Sequence, residues 1–455
     1  MKYYIDLGKK LFPLNRSLTG IGTLRTLKIL KNENNLIKLK KIKCGNKVFD
    51  WEIPSEWKIH SAYVKDKNGK KIIDFKKNNL HLIGYSQKID KKIKFIDLLK
   101  KLYSLPKNKK AIPYKTSYYR KNWGFCISDI FKKKLLKKYK SYDLFHIKIN
   151  SSFKKNGYLN YAEAYIPGKS KKEILISTYV CHPSMANNEL SGPLLSLSLI
   201  NFFCKYKNEK SLRFVFIPET IGAIAYIKKN YNQLIKNVIG GYVLSCVGDN
   251  KKHSYIKTKY GRSPSDFAIR SSYKSLKIKG KIYSFLDRGS DERQYNSSGI
   301  NIPIGTIMRS KFGTFKEYHT SLDNFKLVNA KGLKGSFKVT KKAIEFLMKY
   351  KKLKENIKKK KLKKKIIIST IKCEPFLEKR KLYPEDGMST IKDSNPIKEK
   401  QHFIKLVSTI LDFMQYSDGL NNIKEISKFI KQPLSKTKKI FLLLKKLKMV
   451  KIKEI

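Results

Sequence analysis

The sequence predicts an α/β protein with a mostly parallel sheet between two layers of helices, a small β-rich domain inserted near the start, and a helical domain at the end. From about residue 155 to 350, apolar runs of strand length alternate with amphipathic helical stretches, which is the pattern of a parallel sheet covered on both faces. Residues 41–140 hold short β-prone runs between turn residues, and the chain ends in three helical patterns.

We divide the chain into four parts on this basis. Residues 1–40 and 141–350 form the main domain, 41–140 the insertion, 351–370 a basic linker, and 371–455 a C-terminal unit that resembles a winged helix. Leucines at helical spacing predict two short helices before residue 40. The segment KDKNGKKI predicts a hairpin in the insertion. The lysine run of the linker opposes tight packing and marks a domain boundary.

The elements of the main domain follow in order along the chain. The strand candidates are EILISTYV, RFVFIPE, GYVLSCV and NIPIGTI. The helix candidates are GPLLSLSLINFFCKY, IGAIAYIKKNYNQL and SFKVTKKAIEFLMKYKK. Each helix candidate has apolar residues three or four positions apart and lysines on the opposite side, so we expect each to cover a face of the sheet.

The end of the insertion is rich in aromatic residues. The segment AIPYKTSYYRKNWGFC contains Tyr114, Tyr118, Tyr119 and Trp123. Such side chains line a pocket or fill a small core, and we favour the core because large aromatic side chains contribute most of the buried area in small cores.

The charge of the chain suggests an anionic partner, but its chemistry argues against nucleic acid. There are 101 Lys and Arg against 35 Asp and Glu, a net charge of +66. Nearly all of the basic residues are Lys, and they are spread along the whole chain. Specific recognition of bases and phosphates relies on the planar guanidinium of Arg. We therefore do not expect nucleic acid to be the main partner.

Several observations favour a cytoplasmic protein. The six cysteines are far apart and form no CxxC pair, which favours a reducing compartment. The opening residues lack the apolar core of a signal peptide, and an apolar stretch of about 18 residues, as a membrane span requires, is absent from the sequence. Whether the protein pairs with a second copy of itself stays open.

Polar residues that can carry chemistry follow the predicted strands. In an open α/β sheet, ligands bind beyond the carboxyl ends of the strands. A lone histidine is more often a core or surface residue than a ligand, so it is the shared location that makes these residues candidates. They are His182, Asn187, Asn188, Glu189, Glu219, Thr220, Cys246, Asp249, Asp287, Ser290, Asp291, Glu292, His319 and Asp323.

The order of these motifs resembles the di-zinc aminopeptidase and carboxypeptidase superfamily. The match runs from a histidine through Asn-Asn before a Ser-Gly helix start, Pro-Glu, Val-Gly and Ser-Asp to Tyr-His-Thr. The motifs FDWEIPSEW, NLHLIGYS, IPYKTSYY and WGFC are similar to the inserted domain of a bacterial aminopeptidase-like branch. That branch is often encoded beside genes for surface-polysaccharide synthesis and carries a C-terminal winged helix. The resemblance covers almost the whole chain and implies a zinc-aminopeptidase-like fold.

The resemblance also implies roles for single residues. His182 and His319 match metal-binding histidines, and Glu219 matches the general base that activates water. Asn188 stands where a bridging aspartate belongs, while Thr220 and Cys246 stand at two further positions of carboxylate ligands. Three ligands of the superfamily are therefore missing from this chain.

The missing carboxylates limit the metal that we expect. Two zinc ions a few ångströms apart require carboxylates that neutralise the pair, so one zinc ion at most is expected, and its complete absence stays open. The candidate ligands are His182 and His319, a weak neutral donor at Asn188, a substitute acid (Asp291, Glu189 or Asp249), and the thiolate of Cys246.

Three functions remain open from the sequence. The first is a zinc hydrolase that uses Glu219 to cleave an amide, an aminoacyl group or an acylated sugar precursor, with a small-molecule or peptide-like substrate. The second is an inactive aminopeptidase-like scaffold that binds a ligand or a partner enzyme. The third is a regulator that binds DNA through the C-terminal unit, which is also a common scaffold for protein partners.

Overall fold

The computed structural model describes residues 1–351, 365–383 and 398–454, with side chains for all of these except 398–402. Most of the predicted basic linker, residues 352–364, lies outside the described residues. The helices are α1 (Lys2–Leu11), α2 (Ile21–Glu33), α3 (Phe95–Leu99), α4 (Asp129–Lys138), α5 (Ser191–Phe203), α6 (Ile221–Lys229), α7 (Tyr231–Asn237), α8 (Pro264–Ser275), α9 (Glu292–Tyr295), α10 (Ala330–Lys349), α11 (Lys398–Tyr416), α12 (Ile423–Phe429) and α13 (Leu434–Lys446).

The strands fall into one large sheet and several smaller ones. They are β1 (Ile37–Lys43), β2 (Lys47–Val48), β3 (Trp51–Glu52), β4 (Glu56–Lys65), β5 (Lys71–Asp74), β6 (Ile89–Lys94), β7 (Leu102–Tyr103), β8 (Phe125–Cys126), β9 (Leu144–Lys154), β10 (Tyr158–Ile166), β11 (Gly168–Tyr179), β12 (Asn208–Ile217), β13 (Val238–Leu244), β14 (Ser254–Ile256), β15 (Lys281–Tyr283), β16 (Ile304–Met308), β17 (Lys365–Ser369) and β18 (Val450–Glu454).

The main sheet has eight strands in the order β1-β10-β12-β11-β13-β16-β14-β15. The four central strands, β12, β11, β13 and β16, run parallel to one another and correspond to the four apolar runs of the sequence. Antiparallel strands lie on both sides of them. The predicted α/β class with a mostly parallel central sheet is confirmed.

Side chains along each strand point alternately to the two faces of the main sheet, and helices cover both faces. In β12, Phe214 and Phe216 belong to the apolar core that contains α1, α2, α5, α8 and α10. Val215 and Ile217 of the same strand belong to a second core with α6 and α7. These helices therefore form the two layers that enclose the sheet.

The insertion is built on an antiparallel sheet in the order β5-β4-β9-β6. The predicted hairpin is present as the β4–β5 pair. Strand β9 lies beyond residue 140, where the sequence places the end of the insertion, yet it pairs with β4 and β6. Its apolar residues also join the core that contains α6 and α7. The division into domains stays a prediction, and this sheet takes its strands from residues 56–154.

The C-terminal unit consists of α11, α12 and α13 with a ribbon formed by β17 and the final strand β18. The three helices match the three helical patterns of the sequence, and the winged-helix type stays a prediction. Phe285 of the main domain packs into the apolar core of this unit. Among the described residues, the helices lack the combination of length and apolar character that a membrane span requires.

Candidate metal centre

Most of the predicted site residues lie at one edge of the main sheet. β12, β11 and β13 are neighbours, and their carboxyl ends lead to Glu219, His182 and Cys246, respectively. Asp291 precedes α9, and His319 lies in the loop after β16. Parallel strands end on the same side of a sheet, so residues far apart in the chain meet there.

The two histidines face each other in this cleft. The ring centroids of His182 and His319 are 5.4 Å apart. Glu219 lies beside them, with Oε2 at 3.7 Å from Nε2 of His182. The other oxygen of Glu219 accepts a hydrogen bond of 2.7 Å from Ser290 Oγ. Two imidazoles and a carboxylate thus share one cleft, which is the minimum that the zinc hydrolase hypothesis requires.

A buried ion pair fixes the orientation of His182. Oε2 of Glu189 accepts a hydrogen bond from the backbone N–H of His182 (2.9 Å) and lies 3.0 Å from Nδ1. Nε of Arg16 lies 3.2 Å from Oε1 of Glu189 and donates to the His182 carbonyl at 2.9 Å. A carboxylate only accepts, so the proton of the ring sits on Nδ1 and Nε2 is turned toward Glu219. Burial lowers the pKa of His182, but the hydrogen bond that it donates to Glu189 and the charge of Glu219 together raise it above its usual value.

Three of the predicted metal residues carry a buried atom with no hydrogen-bond partner among the described residues. These atoms are Oδ1 of Asn188, Nδ1 of His319 and Oδ2 of Asp291. Buried polar atoms are nearly always hydrogen-bonded, and an exception points to an ion or a water. Nitrogen and oxygen donors of this kind are ligands of zinc. The types of donor atom present are therefore ones that zinc accepts.

The three candidate substitute acids differ in what they contact. Asp249 accepts hydrogen bonds from Asn187 Nδ2 and from the backbone of Lys251 and Ser310. Glu189 is occupied by His182 and Arg16, as above. Asp291 accepts one bond, from the Thr220 N–H at 2.7 Å. Burial and the charge of Glu219 raise the pKa of Asp291 well above its usual value, and the charge of Arg293 offsets only part of this effect.

Two buried thiols lie near the candidate site. The ligand atoms of Cys181, His182 and Glu189 all lie within 4.8 Å of one another, and His319 and Asp291 are outside this group. Burial raises the pKa of the Cys181 thiol well above its usual value, and burial likewise raises the pKa of the Cys246 thiol. Zinc binds the thiolate, so binding at either sulfur requires the loss of its proton, and the thiolate of Cys246 stays a predicted ligand.

Asp323 holds Asn188 in place. Its carboxylate accepts hydrogen bonds from the backbone N–H groups of Asn187 (2.6 Å) and Asn188 (2.8 Å). These residues belong to a single π-helical turn, residues 186–190, that precedes α5, and such turns are frequent at functional sites. Nδ2 of Asn188 donates to Tyr179 Oη and to Cys246 Sγ, which leaves its carbonyl oxygen as the free donor.

Tyr114 of the insertion contacts both histidine rings edge-on. Its ring centroid is 5.1 Å from that of His182 and 5.3 Å from that of His319. Its N–H donates to the His319 carbonyl at 2.9 Å, and Pro113 pairs with Thr320. The expectation that this aromatic segment fills a core is wrong for Tyr114, which is half-buried at the site. Sequence reasoning missed this role and that of Arg16, because only the docking of distant segments creates them.

Comparison with known proteins identifies the family. The family model described as domain of unknown function DUF4910 matches residues 5–350. The chain belongs to this family. A curated relative from Clostridium acetobutylicum, 39% identical over 83% of this chain and 82% of its own length, is named as a candidate polysaccharide biosynthesis protein with an aminopeptidase-like domain. The predicted membership of an aminopeptidase-like group is confirmed.

Solved structures agree on the fold. A crystal structure of a candidate peptidase from Clostridium acetobutylicum is 33% identical, covers 99% of this DUF4910 chain and 96% of its own, and superposes with a TM-score of 0.73. A zinc aminopeptidase from Bacillus subtilis is 12% identical, with a TM-score of 0.55 over 75% of this chain and 93% of its own. A peptidase M28 precursor from Shewanella amazonensis is 11% identical, with a TM-score of 0.56 over 78% of this chain and 94% of its own. The last two show the zinc-aminopeptidase-like fold alone.

Proposed function

We propose that this protein is a hydrolase that binds one zinc ion and cleaves an amide or acyl bond. The observation that carries the proposal is the 5.4 Å separation of the His182 and His319 rings with Glu219 Oε2 at 3.7 Å from His182 Nε2. His182, His319 and Asp291 would hold the ion, with Asn188 Oδ1 as a weaker neutral donor. The partnerless buried atoms of the last three residues support this set.

Charge favours one ion over two. Asn188, Thr220 and Cys246 are neutral at the positions where the resemblance places carboxylates. Glu219 beside His182 and Asp291 beside Thr220 remain as acids, and Glu189 is already paired with Arg16. Two divalent ions at close range need more negative charge than this to offset their repulsion. A single ion leaves a position open for water and for the substrate.

In the proposed hydrolysis, different residues of the chain have different roles. A zinc ion held by these residues would supply Lewis-acid polarisation of the substrate carbonyl and would acidify water. Glu219 takes the proton of the attacking water at Oε2 and returns it to the leaving group. Ser290 holds Oε1 of Glu219, so the second oxygen stays directed toward His182. Glu189 and Arg16 keep the His182 ring in the tautomer that offers Nε2.

The substrate class follows from the relatives. The curated relative carries a name that joins polysaccharide biosynthesis to an aminopeptidase-like domain. We therefore propose an acylated or aminoacylated sugar precursor, or another small peptide-like amide, as the substrate, and the cytoplasm as the place of action. Tyr114 is well placed to contact such a substrate, because its ring contacts both histidine rings edge-on.

The test separates zinc binding from catalysis. Glu219→Gln keeps the shape of the side chain but removes the base, so we expect zinc content to be kept and hydrolysis of a panel of amides and esters to fall about 10²-fold or more. The matched control is Glu209→Gln, an exposed carboxylate that contacts Lys169, and it should behave as the wild type. Equal rates for wild type and Glu219→Gln would overturn the proposed role of Glu219.

A second candidate is the inactive scaffold that binds a ligand or partner enzyme in the same cleft. It is favoured by the neutral side chains of Asn188 and Thr220 and by the raised pKa of the Cys246 thiol. The same experiment distinguishes the scaffold from the hydrolase. A wild-type protein that contains no zinc and hydrolyses none of the substrates would support the scaffold. DNA binding through the C-terminal unit stays a prediction, for which sequence discrimination in a binding assay is the decisive property.

A further inference from the structure

Residues 371–383, here called the clasp, join the three parts of the molecule. Phe376 stacks on Trp51 of the insertion with ring centroids 4.4 Å apart. The Trp51 indole N–H donates to the carbonyl of Glu374 at 2.8 Å. Leu377 is buried in the core of the C-terminal unit. The clasp therefore lies where the insertion, the main domain and the C-terminal helices meet.

Glu374 is the buried acid of the clasp, with only 6% of its surface exposed. Its Oε2 lies 3.4 Å from Nε of Arg293 and accepts a bond of 3.2 Å from Gln294. Its Oε1 accepts a bond of 3.2 Å from Gln415 of α11 and lies 3.8 Å from Nε of Arg288. A carboxylate buried at this depth is tolerated because two guanidinium groups and two amides surround it.

Arg293 connects this acid to the candidate metal centre. Its Nη2 donates to Thr220 Oγ1 at 2.7 Å. Thr220 adopts a φ of +62°, a conformation that a β-branched residue keeps only when its surroundings hold it. The Thr220 N–H donates to Asp291, and Thr220 directly follows Glu219. The guanidinium thus holds the residue that links the proposed base to a proposed zinc ligand.

We propose that Glu374 is a positioning residue for the candidate metal centre and acts on it through Arg293 and Thr220. The acid fixes the guanidinium, the guanidinium fixes Thr220, and Thr220 sets the distance between Glu219 and Asp291. The C-terminal unit contributes to the same network through Gln415. It is therefore a structural part of the site and not an independent appendage. The catalytic meaning of this network rests on the proposed function.

The experiment measures amide hydrogen exchange in the full chain by mass spectrometry. In Glu374→Gln, which keeps the side-chain shape, we expect exchange in the peptide containing Thr220 to be about tenfold faster than in the wild type, because the buried ion pair between Glu374 and Arg293 is lost. Arg293→Gln should give the same increase. The double variant with both substitutions should exchange at this peptide no faster than Arg293→Gln alone. The control is Glu378→Gln in the same clasp, where the acid pairs with Arg120 instead, and it should leave this peptide unchanged.

Zinc affinity is measured on the same samples by competition with a chelator. We expect Glu374→Gln to lower it about tenfold, as loss of an outer partner of a metal ligand does, and Glu378→Gln to leave it unchanged. A wild type without zinc would contradict the proposed function, while the exchange data would still decide the role of Glu374. Unchanged exchange at Thr220 in Glu374→Gln, or an equal increase in Glu378→Gln, would overturn the inference.

Discussion

At the scale of single residues, Asn188 sets the character of the site. Its backbone is held by Asp323 and its amide nitrogen by Tyr179 and Cys246. Its carbonyl oxygen is buried without a partner among the described residues. An amide oxygen carries no charge and is a weaker zinc ligand than a carboxylate. If the proposed function holds, the asparagine at this position would therefore lower the affinity for zinc without removing the donor atom.

Asn188→Asp should strengthen zinc binding. The variant replaces a neutral oxygen by a charged one in the same geometry, so we expect the zinc affinity to rise about tenfold or more, measured by competition with a chelator. Asn187→Asp is the control, because the neighbouring amide donates to Asp249 and a carboxylate there would face a second carboxylate. An unchanged affinity in Asn188→Asp would mean that Oδ1 of Asn188 does not face the ion.

The sequence could identify the residues of the site but not their partners. His182, Glu219 and His319 are recognisable because each follows a predicted strand or belongs to a known motif order. Arg16 contacts the His182 carbonyl across 166 positions of the chain, and Tyr114 comes from the segment between β7 and β8 of the insertion. No local pattern marks such residues, because their contacts exist only after the segments have docked.

At the scale of elements, the start of α5 packs directly against the main sheet, next to the candidate site. A Cβ atom on Gly192 would lie 2.2 Å from Thr178 Oγ1 of β11 and 2.5 Å from the Leu244 carbonyl oxygen of β13. The absence of a side chain therefore lets the helix pack directly against two strands. The π-helical turn that carries Asn188 comes just before this contact.

Gly192→Ala should destabilise the fold. The added methyl group forces α5 away from the sheet, and overpacking of this kind costs about 1–3 kcal/mol in the free energy of unfolding, measured by urea denaturation. Ser196→Ala in the same helix is the control, because its buried hydroxyl has no hydrogen-bond partner among the described residues, so its loss should leave stability unchanged. A Gly192→Ala protein as stable as the wild type would contradict the close packing.

The four central strands of the main sheet were predictable from the sequence, whereas the pairing of β9 and the break between α6 and α7 were not. β11, β12, β13 and β16 are continuous apolar runs because both of their faces are buried. β9 carries a polar and apolar alternation that fits either sheet, so the sequence could not assign it to the insertion. The run IGAIAYIKKNYNQL reads as one helix but forms α6 and α7, which meet at Asn230.

At the scale of the whole molecule, the three parts are joined around the candidate metal centre. The insertion contributes Tyr114, the main domain contributes the strand ends, and the clasp connects the C-terminal helices to Arg293. The amino-acid composition does not predict this arrangement. The order of the motifs does indicate it, because the motifs follow the strands that carry the candidate site.

The zinc content of the purified protein is the most direct test of the account. Elemental analysis should find about one zinc ion per chain in the wild type, and anomalous diffraction at the zinc edge should place it between His182 and His319. His182→Ala should contain no stoichiometric zinc, while His60→Gln, a change at an exposed histidine, should keep it. Equal zinc in His182→Ala and the wild type, or an ion bound elsewhere, would contradict the account.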